Sequence, residues 1–332
     1  MEEERRATAT GFARCVAEIA AGALDFPLPG AGRTADRFSA LASVAERDLS
    51  LGRLVEGHVD AVAILAELGG PATAPTDRWA VWAAEPRGLG LTATRDARGW
   101  VVNGLKRYCS GAHSCTHALV TATADDGRRL FAVTTGVAAT ELCPRADGCR
   151  PVDGSWRAMG MAASDSADVA FTDVPAVPVG DVDAYVHRPG FQHGGIGVAA
   201  CWYGGARAVA ATLTRVAAQR GFDPLTDAHL GAVDMRLHAA SAVLGRAAVE
   251  IDRDPRDNEG TARRRSLRVR AFVESVCADV LSHVGRATGA EPLCHNPLHA
   301  RHVTDLGVYI RQHHGERNLA ELGRLVAGTG HP

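Results

Sequence analysis

The 332-residue sequence lacks any apolar run approaching the ~20 residues that a helix needs to cross a bilayer. Its first segment, MEEERRATATGFARCVAEIAAGAL, also lacks the basic-then-apolar order of a secretion signal. The formal net charge is −2, so there is no overall basic field to attract nucleic acid or an anionic membrane. These absences predict a cytoplasmic protein that binds neither nucleic acid nor membranes.

The sequence also lacks CxxC pairs, although it contains eight cysteines. In a cytosolic chain of this size, cysteines at irregular spacings are expected to be small buried hydrophobes and free thiols rather than disulfides. The eight residues are Cys15, Cys109, Cys115, Cys143, Cys149, Cys201, Cys277 and Cys294.

Alternating strand and helix patterns are absent too, and no GxGxxG follows a first strand. These absences argue against a doubly wound sheet and a Rossmann dinucleotide site. What the sequence contains instead is helical spacing over 8–70, short β-branched and aromatic runs over 79–175, and helical spacing again over 190–328. Gly69-Gly70-Pro71 ends the first helical region.

The middle region has the pattern of antiparallel β structure. Its short runs are separated by the turn pairs Arg98-Gly99, Asn103-Gly104 and Asp126-Gly127. The resulting α+β division is an N-terminal helical domain, a middle β domain and a C-terminal helical domain. Their predicted ranges are 1–77, 78–178 and 179–332.

Four stretches, in this order, resemble the acyl-CoA dehydrogenase superfamily. They are WAAEP (82–86), GWVVNGLKRYCSGA (99–112), MGMAASDSADVAFTDVPAVP (159–178) and NPLHARHVTDLGVYI (296–310). The resemblance implies a middle antiparallel β domain between N-terminal helices and a C-terminal four-helix bundle. It also implies an FAD held between the β domain and the bundle, and a homodimer or homotetramer. The expected partner is a small-molecule substrate, such as an acyl-CoA or an acyl group on a carrier.

The resemblance assigns cofactor contacts to particular residues. Tyr108 falls where the family places an aromatic ring beside the flavin, and Ser110 where a hydroxyl contacts the flavin N5 edge. Such a hydroxyl stabilises the charge that builds at N5 when hydride arrives. Ser164 and Ser166 lie in the segment that leaves the β domain, where the family contacts flavin or substrate. Arg220 is the counterpart of an arginine that reaches the FAD pyrophosphate. For each of these five residues the alternative is that the side chain has only a structural role and does not contact a cofactor.

Three departures from the family pattern concern the cofactor and the substrate. Ala84 stands where many members have a hydroxyl that contacts the flavin pyrimidine. The adenine-binding stretch is reduced to SHVGRATGAEP (282–292), and the N-terminal helical region is short. These departures leave open a relative that binds flavin weakly, or that acts without redox chemistry.

The catalytic glutamate of many members is missing. The family spacing from Asp305 reaches His313, and Glu316 lies three residues further on. The second family position, at the start of the C-terminal domain, offers His193. A histidine with an ordinary pKa of about 6.5 can act as a general base near neutral pH. His313 and His193 are therefore the candidate catalytic residues. Because consecutive residues on a helix point about 100° apart, only one of His313 and His314 is expected to face a pocket.

Two further clusters of histidines and arginines are not assigned a functional role. His295, His299 and His302 lack a Glu or Cys partner at ligand spacing, and His295 is expected to precede a helix, so no metal is predicted. The basic run RRRSLRVR (263–270) is interpreted as a solvated helix face, with phosphate binding as the alternative.

The leading hypothesis is an FAD-dependent α,β-dehydrogenation of an acyl thioester or a related carbonyl compound. The first alternative is a flavin-dependent monooxygenase or oxidase on the same fold, since such relatives lack the glutamate. The second is a non-redox or binding-only relative.

Overall fold

The computed structural model describes residues 2–86, 90–136 and 148–328. Helices come first, strands follow and helices return, so the predicted order is confirmed. The helices are α1 (Glu2–Ala20), α2 (Thr34–Arg47), α3 (Leu49–Leu68), α4 (Ala184–His187), α5 (Pro189–Arg220), α6 (Pro224–Arg253), α7 (Ala262–Thr288), α8 (Glu291–His295), α9 (Pro297–Tyr309) and α10 (Glu316–Val326). The strands are β1 (Trp79–Trp82), β2 (Leu91–Asp96), β3 (Gly99–Cys109), β4 (His117–Ala124), β5 (Gly127–Thr134), β6 (Cys149–Val152) and β7 (Ala167–Val179).

Contacts divide the chain into two compact units. The first unit contains residues 1–26, 53–158 and 162–191, and the second contains 27–52, 159–161 and 192–332. All the strands of the described ranges belong to the first unit. The three-domain division with boundaries after residues 77 and 178 stays a prediction.

The sheet of the first unit closes on itself. In the described residues, pairings run from β4 to β2, β3, β7 and β5, and β5 pairs with β4 again. Strand β1 pairs with the first half of β4, and β6 pairs with β7. Most pairings are antiparallel, as predicted, but β4 runs parallel to both β1 and β2. Strand β1 pairs with residues 117–120 of β4 and β2 with residues 122 and 123, so the two strands follow one another along β4 in the same direction.

One predicted turn is wrong. Asn103-Gly104 lies inside β3, where the pairing with β7 shifts register between Val102 and Gly104. Gly104 has φ of +126°, and a Cβ there would stand 2.6 Å from the carbonyl oxygen of Gly90. A β-bulge with glycine at the close approach therefore replaces the turn.

The core of the first unit joins α3 to the sheet. Because α3 is helical, residues spaced three or four apart share one apolar face, and that face packs on inward side chains of the strands. The cluster consists of Ala61, Ile64, Leu65, Trp79, Leu119, Leu130, Ala132 and Val179.

The second unit is helical, and small residues bring its helices close together. A Cβ on Gly204 of α5 would lie 2.1 Å from the carbonyl oxygen of Ala42 in α2, so only glycine fits at that crossing. Further along α5, the ring of Trp202 packs edge-on to Tyr309 of α9, with centroids 6.3 Å apart.

Arg301 and Asp305 of α9 tie segments of the second unit together. Arg301 donates to Asp48 at 2.5 Å. Asp305 accepts the backbone N–H of Met161 at 2.5 Å. Burial raises the pKa of Asp305 to about 6, against the opposing hydrogen bond from Met161. These contacts give both residues a structural role in the protein.

The described residues include neither a membrane-spanning helix nor a disulfide. None of the described helices is long and apolar enough to cross a membrane. The described cysteines are free thiols, and all of them are buried except Cys294, whereas Cys143 lies outside the described residues.

Candidate functional site

Tyr108 is held in a strained conformation near the end of β3. It lies in the second bulge of this strand, between Lys106 and Cys109, and has φ of +60°. For a residue with a Cβ, the left-handed conformation costs roughly 1–2 kcal/mol, and such strain is concentrated at functional sites. Tyr108 is 52% exposed, and its ring packs edge-on to Trp156. The bulge thus presents an aromatic surface to the outside of the strand.

Lys106 anchors the strand just before this bulge, and nothing in the sequence indicated its position. Its Nζ is buried and donates to the carbonyl oxygen and hydroxyl of Thr121 at 2.9 and 2.7 Å. Burial lowers the pKa of Lys106 to about 8, and the nearby Glu85 opposes that shift. Since a buried ammonium needs such partners, Lys106 holds β3 firmly to β4.

Three of the predicted cofactor-binding residues come together in the first unit. The hydroxyl of Ser166 lies 2.8 Å from that of Ser110 and 2.8 Å from that of Ser164. All three side chains are buried. The indole N–H of Trp82 donates to the carbonyl oxygen of Ser110 at 2.9 Å, which fixes the backbone of that residue. The result is a chain of three hydrogen-bonded hydroxyls.

Asp165 and His113 hold the two loops that carry these serines, and the sequence reasoning missed both. The carboxylate of Asp165 accepts the backbone N–H of His113 at 2.7 Å and lies 3.0 Å from its Nδ1. The hydrogen bond with Asp165 raises the pKa of His113, although partial burial opposes it. Backbone bonds from Gly111 to Ser164 and from Ala112 to Asp165 complete the connection. Asp165 itself has φ of +51°.

His313 lies outside the helix that the sequence suggested. Helix α9 gives way to a 3-10 helix that ends at Gln312, and His313 is extended, with φ of −80° and ψ of 126°. Of the adjacent histidines, His313 is buried and His314 is exposed, in line with the expectation that only one turns inward.

The ring of His313 has a defined hydrogen-bonding pattern. Its Nδ1 accepts the backbone N–H of Gly315 at 3.2 Å. Its Nε2 is buried without a hydrogen-bond partner among the described residues. The pKa of His313 is lowered by burial, and then by Arg270, His314 and Arg311, while Glu316 opposes the shift. A neutral ring that accepts at Nδ1 carries its proton at Nε2.

His193 lies in the first turns of α5 and is buried. Its Nε2 lies 3.1 Å from the carbonyl oxygen of Pro255, in the segment between α6 and α7. Because a carbonyl oxygen only accepts, Nε2 must carry the proton of this bond. The contact supports a structural role, and catalysis by His193 stays a prediction.

Arg220 ends α5 in the second unit. Its guanidinium donates to the hydroxyl of Thr226 at 3.1 Å and to the carbonyl oxygen of Ala287 at 2.9 Å. Both bonds tie helix ends together, so they support a structural role for Arg220. Contact with a cofactor phosphate stays a prediction.

The structure also places the three histidines that the sequence spacing left without a metal assignment. His295 lies in α8, before the α9 helix that carries His299 and His302. No metal-binding group of three or more side chains occurs within residues 2–86, 90–136 and 148–328.

The prediction of a solvated face over 263–270 is wrong in part. Arg263, Arg264 and Arg268 are exposed, but Arg265 is buried and Arg270 turns inward. Two arginines of the run therefore lie towards the buried side of α7, because successive residues of an α-helix point about 100° apart.

No protein-family model and no curated protein matches the sequence. Dibenzothiophene monooxygenase from Paenibacillus sp. A11-2 matches in structure with a TM-score of 0.77 and 19% identity, over 99% of this chain and 97% of that chain. Butyryl-CoA dehydrogenase from Megasphaera elsdenii matches with a TM-score of 0.74 and 19% identity, over 88% of this chain and 82% of that chain. KijD3 matches with a TM-score of 0.74 and 20% identity, over 89% and 80%.

At these identities the likeness is one of fold. A dehydrogenase and a monooxygenase share it, and each is covered over most of its length. The chain therefore has the acyl-CoA dehydrogenase fold. The fold class and the resemblance read from the four sequence stretches are confirmed.

Proposed function

We propose that the protein is a flavin-dependent oxidoreductase whose reaction uses molecular oxygen, as a monooxygenase or an oxidase acting on a small molecule. The proposal has two parts, binding of a flavin by the first unit and the nature of the chemistry. The observation that carries the second part is the hydrogen bond from Gly315 to Nδ1 of His313.

The side chains of the first unit fit a flavin. An isoalloxazine ring is flat and has polar atoms along one edge, so it needs an aromatic or apolar surface beside hydroxyl or N–H groups. The exposed ring of Tyr108 supplies the surface, and the hydroxyls of Ser110 and Ser166 supply the polar groups. Because Lys106 and Asp165 hold the supporting strand and loop, these groups are fixed in advance of binding.

The pattern at His313 argues against proton abstraction by this residue. A general base needs an open lone pair within hydrogen-bond reach of the proton that it takes. The lone pair on Nδ1 of His313 already accepts the N–H of Gly315. The buried Nε2 therefore offers a proton, so we infer that His313 donates a hydrogen bond to a reacting oxygen atom rather than removing a proton from carbon.

The structural neighbours also support a flavin-dependent reaction with oxygen. The matching monooxygenase was also solved with FMN bound, and that structure has a TM-score of 0.78 to this chain. KijD3 was solved with FMN and a dTDP-linked amino-keto sugar. The bound reduced flavin would supply the electrons that activate oxygen. FAD is the cofactor that the sequence resemblance implies, and FMN is the form bound in these neighbours.

Dehydrogenation of an acyl thioester is the second candidate. Butyryl-CoA dehydrogenase has the same fold, and a histidine stands at the position of the family glutamate. This reaction requires His313 to exchange its hydrogen bond with Gly315 for one to substrate, or another residue to act as the base.

Two measurements on the purified protein test the proposal. FMN and FAD are each titrated against it, and binding is followed by flavin fluorescence and the visible spectrum. The flavin complex is then mixed anaerobically with butyryl-CoA. In a separate experiment the reduced complex is mixed with oxygen in the presence of indole, and product formation is followed by mass spectrometry.

We expect flavin to bind, butyryl-CoA to leave the oxidised spectrum unchanged, and the reduced complex to react with oxygen and give an oxygenated product when indole is present. Bleaching of the spectrum by butyryl-CoA would establish the dehydrogenase reading instead. If neither FMN nor FAD binds at micromolar concentration, the flavin part of the proposal is wrong. The alternative of a non-redox or binding-only protein on the same fold would then stand.

A further inference from the structure

The guanidinium of Arg270 joins two segments of the second unit that carry the candidate histidines. It donates to the carbonyl oxygen of Gly195 at 2.5 Å and to that of Gln312 at 3.3 Å. Gly195 lies two residues after His193, and Gln312 directly precedes His313. Both segments are therefore held by one rigid group on α7.

We propose that Arg270 is a positioning residue for His313, which it holds in place through the carbonyl oxygen of Gln312. This inference rests on the proposed role of His313 as a hydrogen-bond donor, and it adds the group that holds the segment carrying that ring. Arg270 lies outside the four stretches that resemble the acyl-CoA dehydrogenase superfamily.

The contacts of Arg270 define a single orientation. A guanidinium is planar and presents its donors in a fixed fork, so two carbonyl oxygens bound at once fix its plane. The plane is also held by the indole of Trp202, since the guanidinium carbon lies 4.7 Å from the ring centroid. A lysine in the same place would keep the charge but lose the fork.

The charge of Arg270 acts on His313 as well. Burial is the larger cause of the lowered pKa of His313, and Arg270 is the next. His314 and Arg311 act in the same direction from the same segment, and Glu316 opposes them. A fixed cation beside a buried imidazole disfavours its protonation. The neutral ring is the form that accepts from Gly315 and carries a proton on Nε2.

The test compares Arg270→Gln, Arg270→Lys and a control, Arg268→Gln. The control removes the same charge from an exposed position on the same helix. The full-length protein without added flavin is used, so that the outcome does not depend on cofactor binding. The pKa of His313 is measured by NMR titration, with His313→Gln to assign its signal, and hydrogen exchange of the Gly315 amide reports the local geometry.

We expect Arg270→Gln to raise the pKa of His313 relative to Arg268→Gln. We also expect it to speed exchange of the Gly315 amide about tenfold, as the loss of a hydrogen bond that holds the segment implies. Arg270→Lys should keep the pKa of His313 low but speed the exchange, because it retains only the charge.

Values in Arg270→Gln that equal those of Arg268→Gln would overturn the proposal. If Arg270→Gln fails to fold, Arg270→Lys decides: unchanged amide exchange in that variant would also overturn it. Failure of the wild-type protein to bind flavin would instead count against the proposed function, and would leave the NMR result valid.

Discussion

The backbone N–H of Gly315 donates to Nδ1 of His313 at 3.2 Å, across a single intervening residue. This bond is local, because Gly315 has φ of +51° and turns the chain back towards the preceding ring. It makes one tautomer of His313 more favourable and leaves Nε2 as the atom that can meet a ligand. The neutral ring of His313 is thereby organised to donate from Nε2.

The first prediction separates a donor from a base at position 313. The amide nitrogen of Gln can occupy the place of Nε2, so His313→Gln should keep activity within about tenfold of wild type. His313→Ala removes the donor and should cost about 10²-fold, as for other donors to a developing oxyanion. Oxygen-dependent product formation is the measurement. Equal losses in both variants would indicate that His313 acts as a base.

The second prediction concerns Ser166, the middle hydroxyl of the chain. Ser166→Ala removes its bonds with Ser110 and Ser164, so we expect a loss of about 1–3 kcal/mol in the free energy of unfolding. Flavin affinity should fall with it, because the hydroxyl of Ser110 loses its orientation. Urea unfolding and flavin titration measure the two effects. Ser241→Ala, an exposed change on α6, should alter neither.

The third prediction concerns pH and stability. His58 is buried, and its Nδ1 accepts the backbone N–H of Trp79 at 3.2 Å. Burial lowers the pKa of His58 to about 4, although Asp77 opposes the shift. The unfolded histidine has a pKa near 6.5, so the stabilisation is complete above about pH 6.5 and is lost as pH falls towards 4. Its size is on the order of 3 kcal/mol.

His58→Asn should flatten this dependence, because the amide oxygen can accept from Trp79 and does not titrate. The measurement is urea unfolding at intervals between pH 4 and 7. His238→Asn, at an exposed site, should keep the wild-type slope. A wild-type stability that stays constant over this range would contradict the prediction.

The fourth prediction tests the close approach of α5 and α2. A Cβ at position 204 would lie 2.1 Å from the carbonyl oxygen of Ala42, so Gly204→Ala should cost about 1–3 kcal/mol or more. Gly231→Ala, in α6, meets no atom within 4 Å. It should be neutral or stabilising by up to about 1 kcal/mol, through helix propensity. Thermal unfolding of both variants gives the comparison, and equal melting temperatures would refute it.

Local pattern predicted much of this fold. The change of hydrophobic period located the strands, and the glycines at 69 and 70 marked the end of α3 at Leu68. The stretch GWVVNGLKRYCSGA indicated where Tyr108 and Ser110 lie along β3. These features depend on neighbouring residues, so a sequence contains enough information to find them.

Other features depend on contacts that sequence spacing does not encode. Asp165 meets His113 across 52 positions, and Arg270 meets Gly195 across 75. The closed pairing of the sheet and the bulge at Gly104 likewise follow from tertiary packing. A helical reading of His313 failed because the last turn of α9 tightens and then opens into an extended residue.

The ring of strands has a consequence for the order in which the protein is made. Strand β7 fills the place between β3 and β5, so both of those strands keep an open edge until residues 167–179 have left the ribosome. At about 5–20 residues per second, the β3 edge waits several seconds. Open strand edges pair readily with other chains. The newly made chain therefore carries these two open strand edges until β7 emerges.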